Sequence, residues 1–103
     1  MPEISIAATI ETAIAEKRLL QFEYGGVLRI AEPHVLGVFE DKEQLLAFQI
    51  AGETVGGGEL PNWRRVDLEK LANLVVLDAK FAGPRATPGG STSSFDRLIA
   101  VVD

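Results

Sequence analysis

Few residues of this 103-residue chain are equipped for chemistry. His34 is the only histidine, and there is no cysteine. A Ser-His-Asp triad would need His34 as its base. None of Ser5, Ser91, Ser93 and Ser94 sits in the G-x-S-x-G turn that presents a nucleophile. One histidine without cysteine leaves no donor set for zinc. The carboxylates are scattered, and no pair has a spacing that demands general acid–base work. The glycines between Gly52 and Gly58 invite comparison with a phosphate loop, but no Gly-Lys-Ser/Thr follows and no helix begins where they end. The expectation is a chain that is not an enzyme and carries no metal or cofactor.

What remains is a set of arginines beside aromatics. Trp63-Arg64-Arg65 can stack a planar ligand and clamp an anion. In a strand, Trp63 and Arg65 share one face while Arg64 shares the other with Val66, so a single site receives only one of the two guanidiniums. The alternative is that Trp63 packs at the edge of the core while both arginines pair with surface carboxylates. Arg29, between Leu28 and Ile30, lies on the face opposite both; it either reaches a carboxylate such as Glu32 or lines a groove. His34 reads as a strand residue after a proline or as a hydrogen-bond donor to a ligand.

These side chains must be positioned by local structure, and the hydropathy pattern supplies it. Ile6, Ile10, Ala13 and Ile14 recur at helical spacing, which predicts an amphipathic helix over Ile6–Arg18 capped by Ser5. The period then changes to two: Leu20, Phe22 and Tyr24 form a strand, Gly25-Gly26 a hairpin turn and Val27–Ala31 its partner, ended by Glu32-Pro33. A third strand follows over His34–Glu40, with Gly37 as a bend, then a charged turn at Asp41-Lys42-Glu43. The nearly all-apolar Gln44–Ile50 reads as a central strand covered on both faces. A loop spans 51–61, and Asn62–Val66 is a short strand. Asp67 caps a helical turn over Leu68–Leu71, and Leu74–Phe81 is another strand. Residues 83–94 read as linker. The end, 95–103, suits a helix capped by Ser94 or, given its β-branched residues, a strand.

A helix followed by short strands in close succession predicts an α+β fold, a small antiparallel barrel or rolled sheet. Connections this short exclude parallel βαβ units. The length suits one domain over 1–103 with its core about 6–82. The absent signal-peptide pattern and the lack of any long apolar run point to the cytoplasm. With 10 basic and 15 acidic residues, the net charge of −5 disfavours autonomous DNA binding.

The order of motifs resembles a known family. Residues 13–24, AIAEKRLLQFEY, are similar to the opening of WYL-type domains. Arg29-Ile30-Ala31-Glu32-Pro33 resembles the R-x-x-E-P that follows there. Leu45-Leu46-Ala47-Phe48 stands where that family carries its naming Trp-Tyr-Leu strand. Residues 63–71, WRRVDLEKL, resemble its later segment. The similarity runs from about Ile10 to Phe81. It implies a small Sm-like β-barrel that binds a nucleotide or other anionic molecule, of the kind found behind helix-turn-helix units in bacterial transcription regulators. This chain holds no helix-turn-helix and lacks the naming triplet. Carried over by position, the candidate ligand contacts are Tyr24, Arg29, His34, Gln49, Arg64 and Arg65.

Two functions are therefore expected. One is a non-catalytic binding or sensing module for an anionic small molecule, nucleotide or nucleic-acid end. The other is a structural domain that meets a partner protein or a second copy through its strand edges.

Overall fold

The computed structural model describes residues 5–52, 60–85 and 95–102. Its first element is α1 (Ile6–Glu16). The Ser5 hydroxyl accepts from the Ala8 N–H at 3.0 Å, as a capping serine should. The helix stops two residues earlier than its apolar spacing suggests. Lys17 adopts a left-handed conformation (φ 55°) and its N–H bonds to the Ala13 and Ile14 carbonyls. Arg18 is drawn away from the helix by sheet contacts, donating from Nε to the Leu77 carbonyl at 2.8 Å and pairing with Asp78 at 3.0 Å.

The strands are β1 (Arg18–Tyr24), β2 (Val27–Phe39), β3 (Lys42–Gly52), β4 (Asn62–Asp67), β5 (Ala72–Lys80) and β6 (Arg97–Val101). All pairings are antiparallel, in the order β4-β3-β2-β1-β5, with β6 also on β2. Among the described residues β4 and β5 do not pair with each other, so the fold is α+β with an antiparallel sheet that is not closed. The Gly25-Gly26 turn forms as expected, with φ of 63° and 80°.

Several local expectations are corrected. Glu32-Pro33 does not separate two strands: β2 runs 13 residues straight through Pro33. Pro33 is tolerated because β1 pairs with β2 only as far as Ala31 and β6 begins at Val35, so Pro33 falls in the gap between them. His34 occupies the register shift between Pro33 and Val35 against β3. The tight turn is Glu40-Asp41, both at positive φ, and Lys42 and Glu43 already belong to β3. The turn after β4 is a short 3-10 helix over Leu68–Lys70, and Asp67 does not cap it with its side chain. The Asp67 carboxylate instead accepts from Gln44 Nε2 at 2.5 Å. Of the helix and strand alternatives left for the end of the chain, residues 97–101 form the strand, because the edge of β2 beyond Ala31 that β1 leaves open offers them a ladder. The linker and loop readings over 86–94 and 53–59 lie outside the described residues.

The central position of β3 is confirmed: it lies between β2 and β4, and both its faces are covered. Ile10, Ala13 and Ile14 of α1 pack with Leu20, Phe22, Leu36, Leu45, Ala47 and Val66 in the main core. A smaller cluster on the opposite face joins Val35, Leu46 and Phe95, with Trp63 against it. Gly37 permits that second layer, since a Cβ there would lie 2.6 Å from the Phe95 ring and 2.7 Å from the Arg97 carbonyl. No helix among the described residues is long and apolar enough to cross a membrane.

Candidate functional site

Register assigns each arginine to a face. Directly opposed residues project to the same side of a sheet. Phe22 faces Arg29, Ala31 faces Gln49, Gln49 faces Asn62, and Ala47 faces Arg64. Leu20, Phe22, Ala31, Ala47 and Val66 belong to the main core, so Arg29, Gln49 and Arg64 continue its face toward one end of the strands. The other face carries Glu32, Phe48 and Trp63 in one row and Val35, Leu46 and Arg65 in the next.

Tyr24 shows that the first of these faces is concave. Its hydroxyl accepts from the Asp67 N–H at 3.1 Å. β1 and β4 are separated by β2 and β3, which in a flat sheet would put them about 14 Å apart, from three strand spacings of about 4.8 Å. A tyrosine side chain is far shorter than that. The sheet therefore curls until the end of β4 meets the end of β1, and the curl encloses the polar end of the face.

Within that curl Arg29 is buried and donates from Nη1 to Gln49 Oε1 and from Nε to the Tyr24 carbonyl, both at 3.3 Å. Its guanidinium carbon lies 5.5 Å from the centre of the Tyr24 ring. Burial first, and then the like charge of Arg64, hold Arg29 below its ordinary pKa, with Tyr24 opposing. Arg64 is thus close enough for its charge to be felt. Among the described residues neither Arg29 nor Arg64 forms a salt bridge. Gln49 is fully buried beside Arg29, and its Nε2 donates to the Ala51 carbonyl at 3.1 Å.

Four of the six candidate contacts thus share one face: Tyr24, Arg29, Gln49 and Arg64. His34 and Arg65 do not join them. Arg65 lies on the convex face, its guanidinium 3.9 Å from the centre of the Phe95 ring and its Nε donating to Gln44 Oε1 at 2.6 Å. His34 is buried between aromatics, edge-on to Trp63 at 4.8 Å and stacked on Phe81 at 5.4 Å. Its Nε2 accepts from the Arg85 N–H at 3.3 Å, which leaves Nδ1 to donate to the Glu32 carbonyl at 2.9 Å. Burial is the leading reason that its pKa lies below the ordinary histidine value. Arg29 does not reach Glu32, as one reading of the sequence allowed. Arg85 takes that carboxylate instead, with Nε 2.6 Å from Oε1 and Nη2 3.0 Å from Oε2. Sequence reading missed this pair because its members stand 53 residues apart, one beside a proline and one in an apparent linker.

Among the described residues no group of histidines and carboxylates is arranged to hold a metal ion. The concave site offers two cations, a phenol ring and an amide without a nucleophile–base pair, a set suited to holding an anion. Comparison with protein-family models, curated proteins and solved structures gives no match.

Proposed function

We propose that the protein is a non-catalytic ligand-binding or sensing module whose concave face receives an anionic small molecule, a nucleotide or a nucleic-acid end. One observation carries this reading. The fold holds Arg29 and Arg64 on the same face, close enough to repel, with no carboxylate paired to either among the described residues. Like charges held together in a partly desolvated site are costly unless something else is gained, and an anion repays that cost on binding. The resemblance to WYL-type domains supports the same residues, and we read the curled sheet as a small Sm-like barrel left open between β4 and β5. A cytoplasmic site of action, read from the lack of a signal-peptide pattern and of a long apolar run, fits a stand-alone module of this kind.

The test is thermal unfolding of the whole chain with mono- and dinucleotides, cyclic nucleotides and short oligonucleotides. A ligand at a hundredfold excess over its Kd adds about 2.7 kcal/mol to stability. The expected result is a rise in Tm of several degrees for at least one anion, lost in Arg29→Ala and Arg64→Ala. No rise across the panel, or a rise that survives both substitutions, would sink the proposal.

The second reading is association through strand edges. It is favoured by β4 and β5, each with an edge that pairs with no strand among the described residues, and by Val75 of β5, which is 47% exposed. Light scattering that finds only monomer at millimolar chain concentration removes the homo-oligomeric version.

A further inference from the structure

The convex face holds a second constellation, opposite in charge preference to the first and independent of it. Glu32 of β2 stands opposite Phe48 of β3, which stands opposite Trp63 of β4, so the three form one row across the middle of the sheet. Trp63 meets Phe48 edge-on at 5.1 Å between ring centres, and His34 backs Trp63. The Glu32 side chain is only 5% exposed. The cation that answers it comes from outside the sheet: Arg85 is half exposed, forks both carboxylate oxygens and lies 4.5 Å over the Phe48 ring.

The two halves of this contact differ in how firmly they are built. The receiving half belongs to paired strands. The inserting half lies on the irregular segment after β5, which turns at Gly83 with φ 133° and continues through Pro84. Beyond the guanidinium contacts, the described backbone hydrogen bonds from this segment to the rest of the fold are the Phe81 N–H to the Lys17 carbonyl at 2.9 Å and the Arg85 N–H to His34 Nε2 at 3.3 Å. A buried carboxylate without its cation is strongly disfavoured, so the site keeps a demand for a cation whenever Arg85 leaves. A fork onto two oxygens beneath an aromatic face selects a planar guanidinium over an ammonium.

We propose that Glu32 and Phe48, braced by Trp63, form a guanidinium-binding site that Arg85 fills in cis and that an arginine side chain presented by a peptide fills when Arg85 is displaced. The site is then an arginine receptor with a built-in competitor. A tethered competitor acts at an effective concentration in the millimolar range or above, so it weakens the apparent affinity for a free arginine by roughly tenfold or more.

The experiment uses the full chain and Nα-acetyl-arginine amide as probe, read by the fluorescence of Trp63, the only tryptophan. Arg85→Ala should bind the probe saturably and gain Tm as it binds. Wild type should need roughly tenfold more probe for the same response, because Arg85 competes. The citrulline and lysine analogues, and the double variant Glu32→Gln/Arg85→Ala, should give no saturable response. Should Arg85→Ala fail to fold, Arg85→Lys keeps a cation above Glu32 and is titrated in the same way, with the arginine probe expected to displace the weaker lysine. A folded variant that ignores the probe overturns the proposal, as does one that binds citrulline equally well or still binds after loss of the Glu32 charge. The anion site lies on the other face, so neither outcome touches it.

Discussion

Arginine meets two fates on the two faces of this sheet. On the convex face Arg85 forks Glu32 and lies over Phe48, and Arg65 lies against Phe95 and Phe39 while bonded to Gln44. Each of these charges is absorbed by neighbours and holds structure in place. On the concave face Arg29 and Arg64 face inward beside a fully buried glutamine, with no ion pair to a described carboxylate. The side chains are chemically identical and two of them are adjacent in sequence. What separates them is the strand alternation that turns Arg64 one way and Arg65 the other. Arg85 is matched by a carboxylate within the fold, whereas Arg29 and Arg64 form no ion pair among the described residues.

The comparison can be broken by substitution, and the largest effect belongs to packing. Phe22 lies opposite Arg29 in the main core, so Phe22→Ala should cost about 3–5 kcal/mol in urea unfolding and abolish anion binding with it. Leu46 in the smaller convex cluster should cost about 2–3 kcal/mol as Leu46→Ala, toward the low end for such truncations. If Leu46→Ala proved the costlier, the two faces would have to be ranked the other way. Gly37→Ala comes next. Its Cβ would collide with the Phe95 ring and the Arg97 carbonyl, and the loss should be about 1–3 kcal/mol, with β6 amides exchanging faster by hydrogen exchange.

The smallest stability change sharpens the contrast most. Arg64→Ala should shift unfolding by no more than about 0.5 kcal/mol, because it removes no ion pair with a described residue, while lowering anion affinity at least about tenfold. A large loss of stability in this variant would show Arg64 to be structural, like its neighbour.

His34 adds a pH-dependent effect on the convex side. Its folded pKa lies below the ordinary value, so the unfolded chain takes up the proton first as pH falls. The stabilisation is full above the ordinary histidine pKa of about 6.5 and is lost as pH drops below it toward the depressed folded value. Protonation also removes the lone pair on Nε2 that accepts the Arg85 N–H. Tm should therefore fall between about pH 7.5 and pH 5, more steeply than in His34→Gln. A profile identical in the two proteins would exclude His34 as the cause.

The sequence by itself determined the local elements. The apolar spacing of Ile10, Ala13 and Ile14 placed the helix, Gly25-Gly26 placed the first hairpin, and the alternation around Trp63 already divided Arg64 from Arg65. These are properties of neighbours along the chain, where backbone preference and side-chain period act directly. The tertiary structure decided the rest. It carried β2 through Pro33, because the gap between two partner strands removed the need for an N–H there. It made 97–101 a strand, because β2 had an open ladder to fill. It brought Tyr24 to Asp67 by curling the sheet, and so gathered Arg29, Gln49 and Arg64 beneath a tyrosine, while leaving His34 and Arg65 on the far side. It also matched Glu32 with Arg85 across 53 residues. Register and curvature are set by pairing between distant segments, and no local pattern encodes which distant arginine a buried carboxylate will meet. Of the three arginines that first suggested a binding role, the fold thus places Arg29 and Arg64 on the concave face and Arg65 against Phe95 on the convex one.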